Sequence, residues 1–230
     1  MAVCARYGAE TAVKRFCLFP LLALLLAACG NAPPVPAWQL DARGSADRAL
    51  QAYLSGDARV ADVEWARVRA DVARTGQPAL AARVELLRCA AQVASLQEQP
   101  CTGFDALRQD AGGEAAAYAD YLAGHLEAAR VPLLPPAQRA PALDVTAVAQ
   151  VEDPLSRLVA AGAALRAGRA TPETLVLATQ TASAQGWRRP LLAWLLLREQ
   201  RARATGDAAL ADALARRIRL VQSSGAAVAQ

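Results

Sequence analysis

The feature that most limits what this chain can fold into is a set of apolar stripes at helical spacing, cut at short intervals by glycine and proline. Ala61, Trp65, Val68 and Val72 recur with the helical period, and so do Leu80, Val84, Leu87 and Ala91. Between the two stripes lies Thr75-Gly76-Gln77-Pro78, a helix stop followed by a proline suited to a first helical turn. A short turn between two such helices makes an αα-hairpin. The pattern repeats along the chain. Ser45, Asp57, Asp153, Thr171 and Asp207 read as N-caps, and Gly56, Gly168, Gly186 and Gly206 as stops. The chain is 54% apolar but only 5% aromatic. Much of that apolar content is alanine and leucine, the usage of a helical domain. The expected fold is all-α, with antiparallel helical hairpins in a bundle or short solenoid-like array.

Boundaries follow from the same signals. The first helix is expected from Ala46 to Leu54, and another from Glu114 to Ala129 carrying Tyr118, Tyr121, Leu122 and His125 on one side. Val131 to Asp144 holds Pro132, Pro135, Pro136 and Pro141 and reads as an irregular loop between two halves, of the sort that covers a groove. Leu191 to Leu197, after Pro190, is apolar on every side and is expected to be the most buried helix. The domain spans 45–222, preceded by a proline-rich tether at 29–44 with Pro33, Pro34 and Pro36, and followed by a frayed tail at 223–230.

The N-terminus carries a different message. Lys14-Arg15 precedes an apolar run from Phe16 to Ala28, and Leu26-Ala27-Ala28-Cys29 closes it. The run is too short to span a bilayer comfortably, which takes about 20 residues. These residues resemble the signal peptide and lipobox of a bacterial lipoprotein. The resemblance implies cleavage before Cys29 and diacylglycerol on its thiol, so that residues 1–28 are a leader. Residues 2–11 make a long polar lead, and a start near Val13 would give a more compact leader. Gly30 rather than Asp after the lipidated Cys implies, by the same resemblance, the periplasmic face of the outer membrane of a Gram-negative cell.

That compartment decides how the cysteines are read. Cys4 and Cys17 leave with the leader and Cys29 takes the lipid, so Cys89 and Cys101 remain as a pair in an oxidising environment. A structural disulfide is expected. Their spacing is not CxxC, the usual redox-catalytic arrangement. Two Cys and one His do not make a zinc ligand set. No metal or other cofactor is expected.

The remaining constellations are few. His125, the only His, reads as a packed helix residue rather than a general base. Glu85 and Glu127 are the carboxylates weighed for a glycan-cleaving enzyme. Neither stands in the Glu-Ser pair typical of lytic transglycosylases, and no catalytic residue is expected. The turns at Gly56, Gly76, Gly168 and Gly206 make the chain similar to tetratricopeptide-like helical hairpins, which implies partner binding on a concave face. The Trp-Leu-Gly-Tyr spacing of that family is missing. From Trp187 onward eight Arg face three acids. Within that stretch Arg188, Arg189, Arg216, Arg217 and Arg219 form a candidate surface for an anionic partner. The expected function is a membrane-anchored, non-enzymatic interaction module with an envelope protein partner. The rival is an anionic lipid or glycan binder using those arginines. The compartment excludes nucleic acid.

Overall fold

A computed structural model describes the backbone of residues 35–226 and the side chains of residues 35–224. The candidate leader, Cys29 and tether residues 29–34 lie outside the described residues, as do tail residues 227–230. Ten α-helices and three 3-10 segments make up the described chain, with no strand among the described residues. The helices are α1 (Ala37–Ser55), α2 (Ala58–Ala73), α3 (Pro78–Ala94), α4 (Thr102–Asp105) and α5 (Gly113–Ala123). After them come α6 (Pro136–Leu143), α7 (Pro154–Arg166), α8 (Pro172–Ala184), α9 (Arg188–Ala204) and α10 (Ala208–Ala226). The fold is all-α, packed as antiparallel pairs.

The capping logic of the sequence is visible at the helix starts. Asp57 accepts from the Val60 amide, Asp153 from Ser156 and Asp207 from Leu210, at 3.1, 2.7 and 3.0 Å. Thr171 and Thr174 form a reciprocal capping box. The core is built from two helices that the rest surround. In α7 every residue from Leu158 to Ala164 is buried, and in α3 every residue from Cys89 to Ala94. Both runs are mostly small side chains, which lets neighbouring helices approach from all sides. Trp194 of α9 is fully buried against this centre, and its Nε1–H donates to the Ala94 carbonyl at 3.0 Å. That bond satisfies one of the carbonyls that the C-terminus of α3 leaves open.

Five features differ from expectation. The N-terminal helix begins at Ala37, not Ala46, because Ala42 packs on Val68 and Val72 of α2 and extends the contact. Ser45 is therefore inside the helix, buried and accepting from Arg48 at 2.9 Å, and the tether is shorter than read. α5 stops at Ala123 instead of Ala129. Gly124 takes a left-handed φ of +82°, and a Cβ there would stand 2.8 Å from the Ala167 amide. The stretch 131–144 is ordered structure rather than loop: Val131 and Leu134 are buried, and α6 buries Gln138 and Pro141. The 190–197 segment is not the most buried, since Leu196 is 48% exposed. Its bulky leucines suit an outer helix, whereas the crowded centre takes alanine. Residues 223–226 continue α10 rather than fray.

The Cys89–Cys101 disulfide forms, with Cα atoms 5.8 Å apart across a 12-residue separation. It ties α3 to the segment leading into α4 and α5. Replacing both cysteines with alanine should lower the urea-unfolding free energy by about 3 kcal/mol. Reductant should lower the native protein to the same level and leave the variant unchanged. A native protein indifferent to reductant would contradict a stabilising bridge.

Candidate functional site

Of the acid and base candidates, packing accounts for Glu85. Glu85 is buried and receives both Nε and Nη2 of Arg69, at 2.6 and 3.2 Å, with Arg88 4.0 Å away. Gly103 leaves the space that this carboxylate fills, since a Cβ there would lie 2.4 Å from Glu85 Oε2. Glu64 is held likewise by Arg48 and Arg67, and the hydrogen bond from Arg48 keeps its carboxyl below the usual range. His125 and Glu127 do not sit in the expected helix. Both follow the end of α5 and are exposed.

The five C-terminal arginines divide into two groups. Arg189 Nε donates to the Tyr53 carbonyl at 2.7 Å, and its guanidinium lies 4.3 Å from the Tyr53 ring centroid. Arg188 Nε donates to the Val221 carbonyl at 3.3 Å. These two bind the start of α9 to α1 and α10, so their part is structural. Arg216, Arg217 and Arg219 are exposed on α10 beside Leu220, which is 72% exposed. Burial, and secondarily the Arg217 guanidinium, lowers the pKa of Arg198 on α9. Like charges thus face each other across the last hairpin.

A groove lies where α3 and α5 meet the start of α6. It encloses about 520 Å³. Leu86 and Ala90 of α3, Tyr118 of α5, and Leu134 line it, as do Arg83 and Arg139. Arg139 is oriented by its own Nε, which donates to the Leu134 carbonyl at 2.8 Å. The single acid on the lining is Glu114, in the first turn of α5. Among the described residues, Arg83, Arg139 and Glu114 take part in no ion pair. The Tyr118 and Tyr121 rings stack at 6.2 Å. The Tyr121 hydroxyl donates to Gln138 Oε1 at 2.9 Å, whereas that of Tyr118 has no partner among the described residues. Burial pushes the Tyr118 phenol up.

Sequence reasoning missed this groove. Arg83 is not singled out by the sequence, and Arg139 falls within the stretch read as a loop. The available signal was the proline pair Pro135-Pro136, which starts α6 and closes one side of the groove. Among the described residues no cluster of His, Cys, Asp and Glu is placed to hold a metal ion. No described helix is long and apolar enough to cross a membrane. No family model, curated protein or solved structure matches this chain.

Two single substitutions separate the arginine groups. Arg189→Gln should destabilise by about 1–2 kcal/mol, through the lost hydrogen bond and cation–π contact. Arg217→Gln should stay within about 0.5 kcal/mol of the native protein. Urea titrations of the two variants check this, and equal losses would contradict the division.

Proposed function

We propose that this protein is a lipid-anchored, non-enzymatic interaction module of a bacterial cell envelope, held at the periplasmic face of the outer membrane through Cys29. The observation that carries the reading is the Cys89–Cys101 bridge. Such a staple fits an oxidising compartment and not a reducing cytosol. The leader and the lipobox point the same way. The engagement of Glu64 and Glu85 by arginines supports a structural rather than a chemical use of the buried carboxylates.

A second reading, an anionic lipid or glycan binder, draws on Arg216, Arg217 and Arg219. These arginines are exposed, and none of them takes part in an ion pair among the described residues. Arg188 and Arg189 do not belong to that surface, because each is engaged by backbone carbonyls within the domain.

In vivo cross-linking followed by purification from membranes through a C-terminal tag tests the proposal. The expected result is a stoichiometric envelope protein that is lost in Cys29→Ala. Recovery of lipid or glycan alone, abolished by the Arg216→Gln/Arg217→Gln/Arg219→Gln variant, would replace it with the second reading.

A further inference from the structure

We infer that the outer face of the α1–α2 pair docks on the bilayer surface that holds the anchor at Cys29, an inference that deepens the lipid-anchored reading above and rests on it. Leu54 apart, the buried apolar residues of this pair fall in two small clusters: Ala42 with Val68 and Val72, and Ala49 with Ala61 and Trp65. These clusters use one side of each helix. On the other side of α2, Val60, Val63, Arg67 and Ala70 follow one another at helical spacing and are exposed. Leu40 of α1 lines the same surface cleft as Arg67 and Ala70, so the strip crosses from one helix to the other. Leu40, Val60 and Val63 are 58, 39 and 48% exposed, so the strip offers apolar surface that is in water and free to be covered. Trp38, one turn before Ala42, is only half-buried. An indole with an apolar body and one polar edge suits a membrane–water boundary.

Reach selects the occupant. Eight residues lead from Cys29 to Ala37, and a chain of that length spans at most about 29 Å even when fully extended. The lipid therefore stays within that distance of the start of α1. An anchor so close makes docking intramolecular, and a face too weak to hold a free protein then suffices. Charge sets the manner of docking. Residues 37–74 hold six arginines and six acids, so the pair is neutral as a whole. Arg48 and Arg67 pair with Glu64, and Arg74 with Asp71. Arg67, inside the strip, can lay its aliphatic stem along it while its guanidinium stays with Glu64. Such a face is held by apolar burial and not by headgroup charge, so salt should not release it. It uses none of the C-terminal arginines, and a zwitterionic surface is enough for it.

The test places the protein isolated from membranes in phosphatidylcholine vesicles with brominated acyl chains and reads tryptophan emission. Of the four tryptophans, Trp65, Trp187 and Trp194 are buried, so quenching by the lipid reports on Trp38. Quenching is expected, unchanged in high salt and absent in Trp38→Phe. Leu40→Glu/Val63→Glu alters two exposed positions and should leave the thermal melt unchanged. This variant should stay on the vesicles through its lipid, yet lose the quenching and open Trp38 to iodide. Mass spectrometry of the N-terminal peptide reports separately on the anchor. Lipid-bearing protein without quenching would overturn the docking alone, whereas Cys29 without lipid would overturn the anchored reading and the docking with it. Trp38 shielded from iodide but unquenched by lipid would mean that a second copy of the chain covers the face. Quenching that collapses in high salt would mean that charge holds the domain down. Either result would overturn the inference.

Discussion

The structure depends on how closely α7 can lie on α3. Gly162 sits at the crossing, and a Cβ there would stand 2.4 Å from the Val93 carbonyl oxygen and 2.8 Å from its Cγ1. The flanking residues are Ala160, Ala161, Ala163 and Ala164 on one helix, with Ala90, Ala91 and Ala94 on the other. Packing at this distance trades large side chains for backbone proximity and many small van der Waals contacts. An aromatic-poor sequence can build a dense core this way.

Around that crossing, α3 is fixed along its length. Arg69 holds Glu85 near its middle, the disulfide leaves from Cys89, and Trp194 closes the Ala94 carbonyl. Arg166, at the end of α7, donates to the carbonyls of Gln97 and Leu122, so one guanidinium joins the ends of α3, α5 and α7. The groove inherits this rigidity. Its α3 wall cannot shift without breaking the crossing, and the bridge to Cys101 limits where the chain can re-enter to begin α5.

What could be read from the sequence followed local chemistry. The caps at Asp57, Asp153, Thr171 and Asp207 declare themselves through short-range hydrogen bonds, and helix starts were legible to that extent. The cysteine pair was legible by elimination once the lipobox resemblance was accepted. Tertiary facts were not. Gly124 ends α5 because Ala167 lies against it. Ala42 extends α1 because α2, which follows it in the chain, folds back and covers it. Proline misled at 131–144, where Pro136 starts a helix rather than marking a loop. The charge count from Trp187 onward could not tell Arg189, bound to Tyr53, from exposed Arg217. The groove was invisible for the same reason, since its walls come from three separate helices.

The most direct measurement is the urea-unfolding free energy of Gly162→Ala beside Gly113→Ala. Alanine favours a helix over glycine by roughly 1 kcal/mol, so propensity alone predicts a gain at both positions. Gly113 has nothing within 4 Å of an added Cβ, and its variant should be neutral or slightly more stable. Gly162→Ala should instead lose about 2 kcal/mol or more, because a backbone carbonyl cannot yield as a side chain can. Equal or greater stability in Gly162→Ala would show that α3 and α7 do not need this close approach, and the account of the core would fail with it.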